Sequence, residues 1–112
     1  MSTAVARILE DLRSRGGLRG ADIANIVDVS PLTVSRWTAG KGSPSIQTQA
    51  EIADLRYVVE RLSDFYSPEE TRTWLHTPHP LLDRERTVDL IHASRTEEVL
   101  AVIDRLEAGA YL

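Results

Sequence analysis

The chain has 112 residues, with 13 Lys and Arg against 17 Asp and Glu for a formal net charge of −4, and it contains no cysteine. This length allows one compact domain or two small helical subdomains that share a core, and the lack of cysteine excludes disulfides and thiolate metal sites. The longest apolar run, residues 99–103, is far too short to span a bilayer, and no N-terminal segment resembles a signal peptide. We therefore expect a folded cytoplasmic protein without a membrane partner.

The first predicted element is an amphipathic helix over residues 3–14. Its apolar side chains follow the i, i+3, i+4, i+7 spacing of one helix face: Val5, Ile8, Leu9 and Leu12. The pair Gly16-Gly17 would end this helix.

Residues 21–40 predict two short helices joined by a tight turn. Asp28 stands where the chain must turn, a position that often requires the left-handed region, which Asp tolerates better than most residues. Ser30 can cap the second helix, and Pro31 fits its first position, where no N–H is needed. Gly40 would end the second helix, predicted over residues 30–39.

The second of these helices has an inward and an outward face. Val34 and Trp37 share the apolar side, while Leu32, Thr33 and Arg36 point the other way. This pattern indicates a helix-turn-helix, although a plain αα-hairpin would show part of it. Residues 3–65 resemble lambda-repressor/Cro-like (Xre-type) domains, and the resemblance implies that residues 30–39 form the recognition helix in the major groove.

Five residues are the candidate DNA contacts. Arg36 is the best candidate for base contact, because its guanidinium matches guanine O6 and N7. Ser30 and Thr33 could reach phosphate or base edges, and Leu32 could touch either a thymine methyl group or a protein partner. Lys41 could contact a phosphate from the loop after the helix, or could simply lie in a solvated turn.

Charge is divided unevenly along the chain. Residues 1–45 carry six Lys and Arg against four acids, a net of +2, and residues 46–112 carry seven Arg against thirteen acids, a net of −6. This division suggests two different partners. Arg19 and Gly20 depart from the Xre pattern, which commonly places a capping residue and a phosphate-contacting Gln at these positions.

Helical patterns continue through the rest of the chain. Residues 45–66 form the longest predicted helix, and a capping box at residues 67–70 opens another that reaches about His76. After a Pro-rich break, Leu81 and Leu82 are expected to pack inward.

The last predicted elements are two helices. A short one covers residues 88–93, and a second capping box at residues 94–97 opens the final helix. Gly109 would end the final helix.

The back half carries a second resemblance. Trp74, the Pro78/Pro80-Leu81-Leu82 run, the short helix and the final helix ending at Glu107-Ala108-Gly109 resemble, in this order, the C-terminal domain of ParS/MbcA-type antitoxins. This resemblance implies a RES-domain toxin, which degrades NAD, as the partner. It also implies that the C-terminal end of the chain enters the toxin's cleft, and by position this end is Gly109, Ala110, Tyr111 and Leu112.

No catalytic or metal-binding constellation stands out. His76 and His79 are three residues apart, but Pro78 and Pro80 break the helix that would bring them together. Neither a nucleophile elbow nor a glycine-rich phosphate loop is present, and the carboxylates are expected on solvated helix exteriors. We expect neither enzymatic activity nor a cofactor.

The sequence thus predicts an all-α protein with an Xre-like domain at residues 1–65 and a toxin-binding domain at residues 66–112. The expected function is an antitoxin that blocks a RES-type toxin and represses its own operator. A homodimer, and a larger toxin–antitoxin complex, are expected because such modules bind DNA as two-fold dimers. One alternative is a stand-alone repressor whose C-terminal half dimerises or binds a small effector. Another is a protein-binding module that no longer binds DNA.

Overall fold

The structure is a computed structural model and describes residues 4–109, which are mostly helical. The elements in chain order are α1 (Ala4–Gly16), α2 (Gly20–Val27), α3 (Pro31–Thr38), α4 (Ile46–Leu62), α5 (Pro68–His76), β1 (Pro78–His79), a 3₁₀ turn (Pro80–Leu82), β2 (Glu85–Arg86), α6 (Thr87–His92) and α7 (Thr96–Glu107). The all-α class is confirmed, with a small antiparallel hairpin of β1 and β2 that the sequence did not predict. None of the helices within residues 4–109 has the length and apolarity needed to cross a membrane.

The turn between α2 and α3 forms as predicted. Asp28 adopts the left-handed conformation, with φ 59° and ψ 54°. Ser30 is the N-cap of α3, and its Oγ accepts a hydrogen bond from the Thr33 N–H at 3.2 Å, with Pro31 in the first turn. The cap and the left-handed residue together fix the direction in which α3 leaves α2.

The long helix α4 lies at the centre of the molecule. Helices α1, α6 and α7 pack on it, and Leu55, Val58 and Leu62 are fully buried along its length. The front and back halves of the chain therefore share one hydrophobic core.

The front half and the back half of the chain approach each other closely at Gly17. Its φ is +63°, which strains any residue with a Cβ. A Cβ placed there would also lie 2.7 Å from the carbonyl oxygen of Pro68, at the start of α5. The glycine predicted as a helix stop is therefore also needed for the close approach of two segments.

Side-chain pairs also connect the front half of the chain to the back half. The Arg72 guanidinium of α5 lies 2.9 Å from the Asp22 carboxylate of α2, and the Thr96 hydroxyl of α7 donates to Asp54 of α4 at 3.0 Å. Burial raises the pKa of Asp22, but hydrogen bonds from Arg72 and from the backbone N–H of Arg19 outweigh it, so this pKa lies below its usual value.

The capping box predicted at residues 67–70 is confirmed. The Ser67 Oγ accepts from the Glu70 N–H at 3.2 Å, and the Glu70 carboxylate accepts from the Ser67 N–H at 2.8 Å. Two backbone donors at the start of α5 are thereby satisfied.

The second predicted capping box, at residues 94–97, is wrong. Ser94 has a φ of 61°, and Arg95 takes the N-cap position without a side-chain cap. The cause lies at the C-terminal end of α6, where the Arg95 N–H donates a hydrogen bond to the Leu90 carbonyl at 2.8 Å. A hydrogen bond of this kind at a helix end requires a residue in the left-handed conformation. Ser94 adopts that conformation and therefore cannot serve as the N-cap of the next helix.

The inward packing predicted for Leu81 is also wrong. Leu82 is 4% exposed, but Leu81 is 59% exposed. The two residues share one 3₁₀ turn, in which successive side chains point about 120° apart, so only one of them can face the core.

Candidate functional site

The outward face of α3 contains most of the predicted DNA-contacting residues. Leu32 is 71% exposed, and Ser30, Arg36 and Lys41 are exposed as well, while Thr33 is half-buried. Ser30 caps α3, Leu32, Thr33 and Arg36 lie on it, and Lys41 follows it in the loop, so the five residues belong to one helix and its two ends.

The opposite face of α3 is fixed in the core. Val34 is 2% exposed and Trp37 is 6% exposed, so the prediction that both point inward is confirmed. The Thr38 hydroxyl donates to the Val34 carbonyl at 3.0 Å near the end of the helix. A rigidly seated α3 holds its outer side chains in a defined arrangement.

Backbone and side-chain contacts also position the polar groups of this surface. The hydroxyls of Ser30 and Thr33 lie 2.9 Å apart. The Lys41 N–H donates to the Arg36 carbonyl at 2.7 Å, which ties the loop to the end of α3. Among the ion pairs of residues 4–109, none involves Arg36 or Lys41. Both cations are thus available to an anionic partner.

The end of α7 is the other predicted site. The Gly109 N–H donates to the Leu106 carbonyl at 3.1 Å, and its φ of 73° ends the helix as predicted. Ala110, Tyr111 and Leu112 lie outside the described residues.

Helix α7 is firmly attached to α4. Arg61, whose side chain is 16% exposed, forms ion pairs with Glu107 and with Asp104, the latter at 2.6 Å. Hydrogen bonds from Glu107 first and Asp104 second raise the pKa of the Arg61 guanidinium above its usual range. Because Val99 and Ile103 are also fully buried, the point at which the C-terminal end leaves the helix is fixed.

A surface groove around Trp74 was missed by the sequence analysis. Two open cavities of about 480 and 330 Å³ adjoin there, and the side chains of Trp74 and His79 line both. We call them together the Trp74 groove. Its remaining lining residues are Tyr66, Glu69, Glu70, Thr73, Thr77, Pro80, Leu81, Val102 and Leu106. The spacing of apolar residues along α5 does not show that Trp74 is partly exposed and lines a groove.

A smaller polar cavity of about 210 Å³ lies where α2 meets α5 and α6. His76 and His92 line it, and Arg86 pairs with Asp89 there at 2.8 Å. The hydrogen bond from Arg86 is the main cause of a lowered pKa at Asp89. Residues 4–109 hold no group of three or more His, Cys, Asp or Glu side chains arranged to bind a metal ion.

One carboxylate departs from the expected solvated exterior. Glu51 is 6% exposed, and its Oε2 lies 3.1 Å from the His92 Nδ1. This pair links α4 to α6 and lies at an inter-helix contact.

Comparisons with known proteins agree with the arrangement of the back half. Residues 64–109 match the family model described as the antitoxin Xre/MbcA/ParS C-terminal toxin-binding domain. The mycobacterial cidal antitoxin MbcA of Mycobacterium tuberculosis is 32% identical over 98 residues, which cover 88% of this chain and 87% of that protein. A probable mycobacterial cidal antitoxin of the same organism is 34% identical over 96 residues, covering 86% and 82% of the two chains.

A solved structure is similar over nearly the whole fold. A chain in the crystal structure of the M. tuberculosis MbcT–MbcA toxin–antitoxin complex superposes with a TM-score of 0.85 at 29% identity. The match covers 98% of this chain and 99% of that one.

Proposed function

Because the chain belongs to the Xre/MbcA/ParS-type antitoxins, we propose that it binds and sterically blocks a RES-type, NAD-degrading toxin and represses its own operon in the cytoplasm. The observation that carries the proposal is the full-length similarity to a chain solved in a toxin–antitoxin complex. Residues 66–112 would bind the toxin, and residues 1–65 would bind operator DNA.

For steric inhibition we propose blocking atoms in the segment that follows α7. Gly109 leaves α7 at a position fixed by the Arg61 pairs, so the three residues after it would project from a rigid base. A short aromatic–apolar end suits insertion into a cleft, since a buried aromatic side chain is a frequent interface anchor. We propose Gly109, Ala110, Tyr111 and Leu112 as the neutralising segment.

Deleting residues 110–112 tests this segment. The shortened chain should keep its melting temperature and its DNA affinity, because the deletion leaves the core described above intact. It should lose inhibition of the cognate toxin in an NAD-consumption assay. Tyr111→Ala should lose part of it, whereas the control Ile46→Ala, at an 87% exposed residue at the start of α4, should inhibit normally. Full inhibition by the shortened chain would assign the blocking role to another surface.

Operator binding is proposed for the exposed face of α3. Arg36 and Lys41, which form no ion pair within residues 4–109, lie near the end of a helix whose other side is buried in the core. Arg36→Ala should weaken binding to the protein's own promoter by about 1–3 kcal/mol. Lys41→Ala should weaken specific and non-specific binding alike and make the salt dependence shallower.

A gel-shift titration measures both effects, with Arg105→Ala as the control cation, exposed on α7 in the other half. If the unaltered protein shows no preference for its own promoter, operator binding is excluded. A two-fold operator also requires a homodimer, which light scattering of the protein with promoter DNA would detect.

A further inference from the structure

We propose that the Trp74 groove is a docking site for an apolar side chain carried on a basic segment of the cognate toxin, separate from the contact made by residues 109–112. This inference rests on the proposed function and names a second part of the toxin-binding surface.

The groove is already formed in the isolated chain. The rings of Trp74 and His79 are 4.2 Å apart between centroids and tilted by 40°. A hydrogen bond of 2.8 Å joins the His79 Nε2 to the Trp74 carbonyl, and His79 pairs with Glu85 in the β-hairpin. A partner would therefore meet fixed rings, and little conformational entropy would be lost on binding.

Leu81 leaves an apolar side chain in water at the edge of this groove. It is 59% exposed, and the 3₁₀ turn that orients it also holds Leu82 in the core. Val102 and Leu106 of α7 line the same cavity, so Leu81 adds an exposed side chain to an apolar lining. An apolar side chain that entered here would remove carbon surface on both partners from water.

Charge selects the kind of partner. The carboxylates of Glu69 and Glu70 line the other end of the groove, and residues 46–112 carry a net charge of −6. These charges repel nucleic acid, and they also repel the same face of a second copy. A segment that combines an apolar side chain with Lys or Arg is complementary to both features.

Position selects the toxin as the source of that segment. Every residue that lines the groove falls within residues 64–109, the part matched by the toxin-binding family model. Leu106 lies one helical turn before Gly109, so the groove adjoins the point from which the C-terminal end departs. A toxin that engages this end would cover the groove at the same time.

The test compares Leu81→Asp with Ile46→Asp in the full chain. Both change an exposed aliphatic residue to a charged one, and Ile46, 87% exposed at the start of α4, lines neither cavity of the groove. Isothermal titration with purified toxin should show a Kd at least tenfold higher for Leu81→Asp, while Ile46→Asp should match the unaltered chain. Circular dichroism melts verify that both variants fold.

A second variant, Glu69→Lys, tests the basic character of the partner. Glu69 is exposed, so the fold should tolerate the change. The association rate with the toxin should fall several-fold at low salt, and the difference should shrink at high salt.

Three other outcomes would contradict the inference. If the unaltered chain does not bind the toxin, the proposed function and this inference both fall. If it binds and Leu81→Asp binds equally well, the groove is not a docking site, and the proposed function stands. A concentration-dependent dimer of the unaltered chain that Leu81→Asp abolishes would make the groove a self-association surface and would contradict the inference.

Discussion

Replacing Trp37 with alanine tests whether α3 is seated in the core by this side chain. A buried tryptophan removes about 250 Å² from water, which at about 25 cal/mol per Å² is about 6 kcal/mol. Alanine keeps part of this burial and the surroundings relax in part, so we expect a loss of about 3–5 kcal/mol in the free energy of unfolding. Trp37 is 6% exposed, so nearly all of its side-chain area is buried, as the estimated loss in the free energy of unfolding assumes.

Thermal and urea unfolding followed by circular dichroism measure this loss. For a chain of this size the melting temperature should fall by about 10–20 °C. The control is Leu32→Ala on the same helix, which should change stability by no more than about 0.5 kcal/mol because Leu32 is 71% exposed. An unchanged melting temperature for Trp37→Ala, or an equal loss in the control, would refute the assignment of the two faces of α3.

Two further predictions concern the contact between the front and back halves. Gly17→Ala should destabilise the chain by more than about 1 kcal/mol beyond Gly42→Ala in urea unfolding, because both have positive φ but only Gly17 faces the Pro68 carbonyl; equal losses would mean that the close approach costs nothing. Asp22→Asn should lose about 0.5–1 kcal/mol at pH 7 through its pair with Arg72. Since the folded pKa of Asp22 is lowered, this stabilisation is present above about pH 4 and disappears as the pH falls through the folded value. A difference from the unaltered chain that persists at pH 2 would exclude the carboxylate as its cause.

Local sequence signals predicted most of the fold. The left-handed Asp28, the Ser30 and Ser67 caps and the inward faces of α3 all depend on residues within one or two turns of each other, and all are found in the structure. Spacing within one segment was sufficient because the forces that fix these features act within the same segment.

The predictions that failed depend on neighbouring elements. The sequence that begins at Ser94 matches a capping box, but Ser94 is the left-handed residue that ends the preceding helix α6. Leu81 and Leu82 look equivalent in sequence, and the 3₁₀ turn between the two short strands decides which one is buried. The hairpin itself has two residues in each strand, too few for a periodic pattern.

The candidate sites divide in the same way. Leu32, Thr33 and Arg36 could be named because a helix face is readable from spacing, and Ser30 and Lys41 could be named from the cap and the loop at the two ends of that helix. The Trp74 groove could not be named, because it is made by α5, the hairpin and α7 together, and their relative placement is set by the shared core on α4.

The most direct test of the antitoxin function is a titration of the intact chain into its cognate RES-type toxin, with NAD consumption as the readout. The proposed function predicts that NAD consumption falls in proportion to the added chain and reaches the background rate at a fixed ratio of the two proteins. NAD consumption that continues unchanged at saturating amounts of a folded, promoter-binding chain would contradict it and would favour the stand-alone repressor.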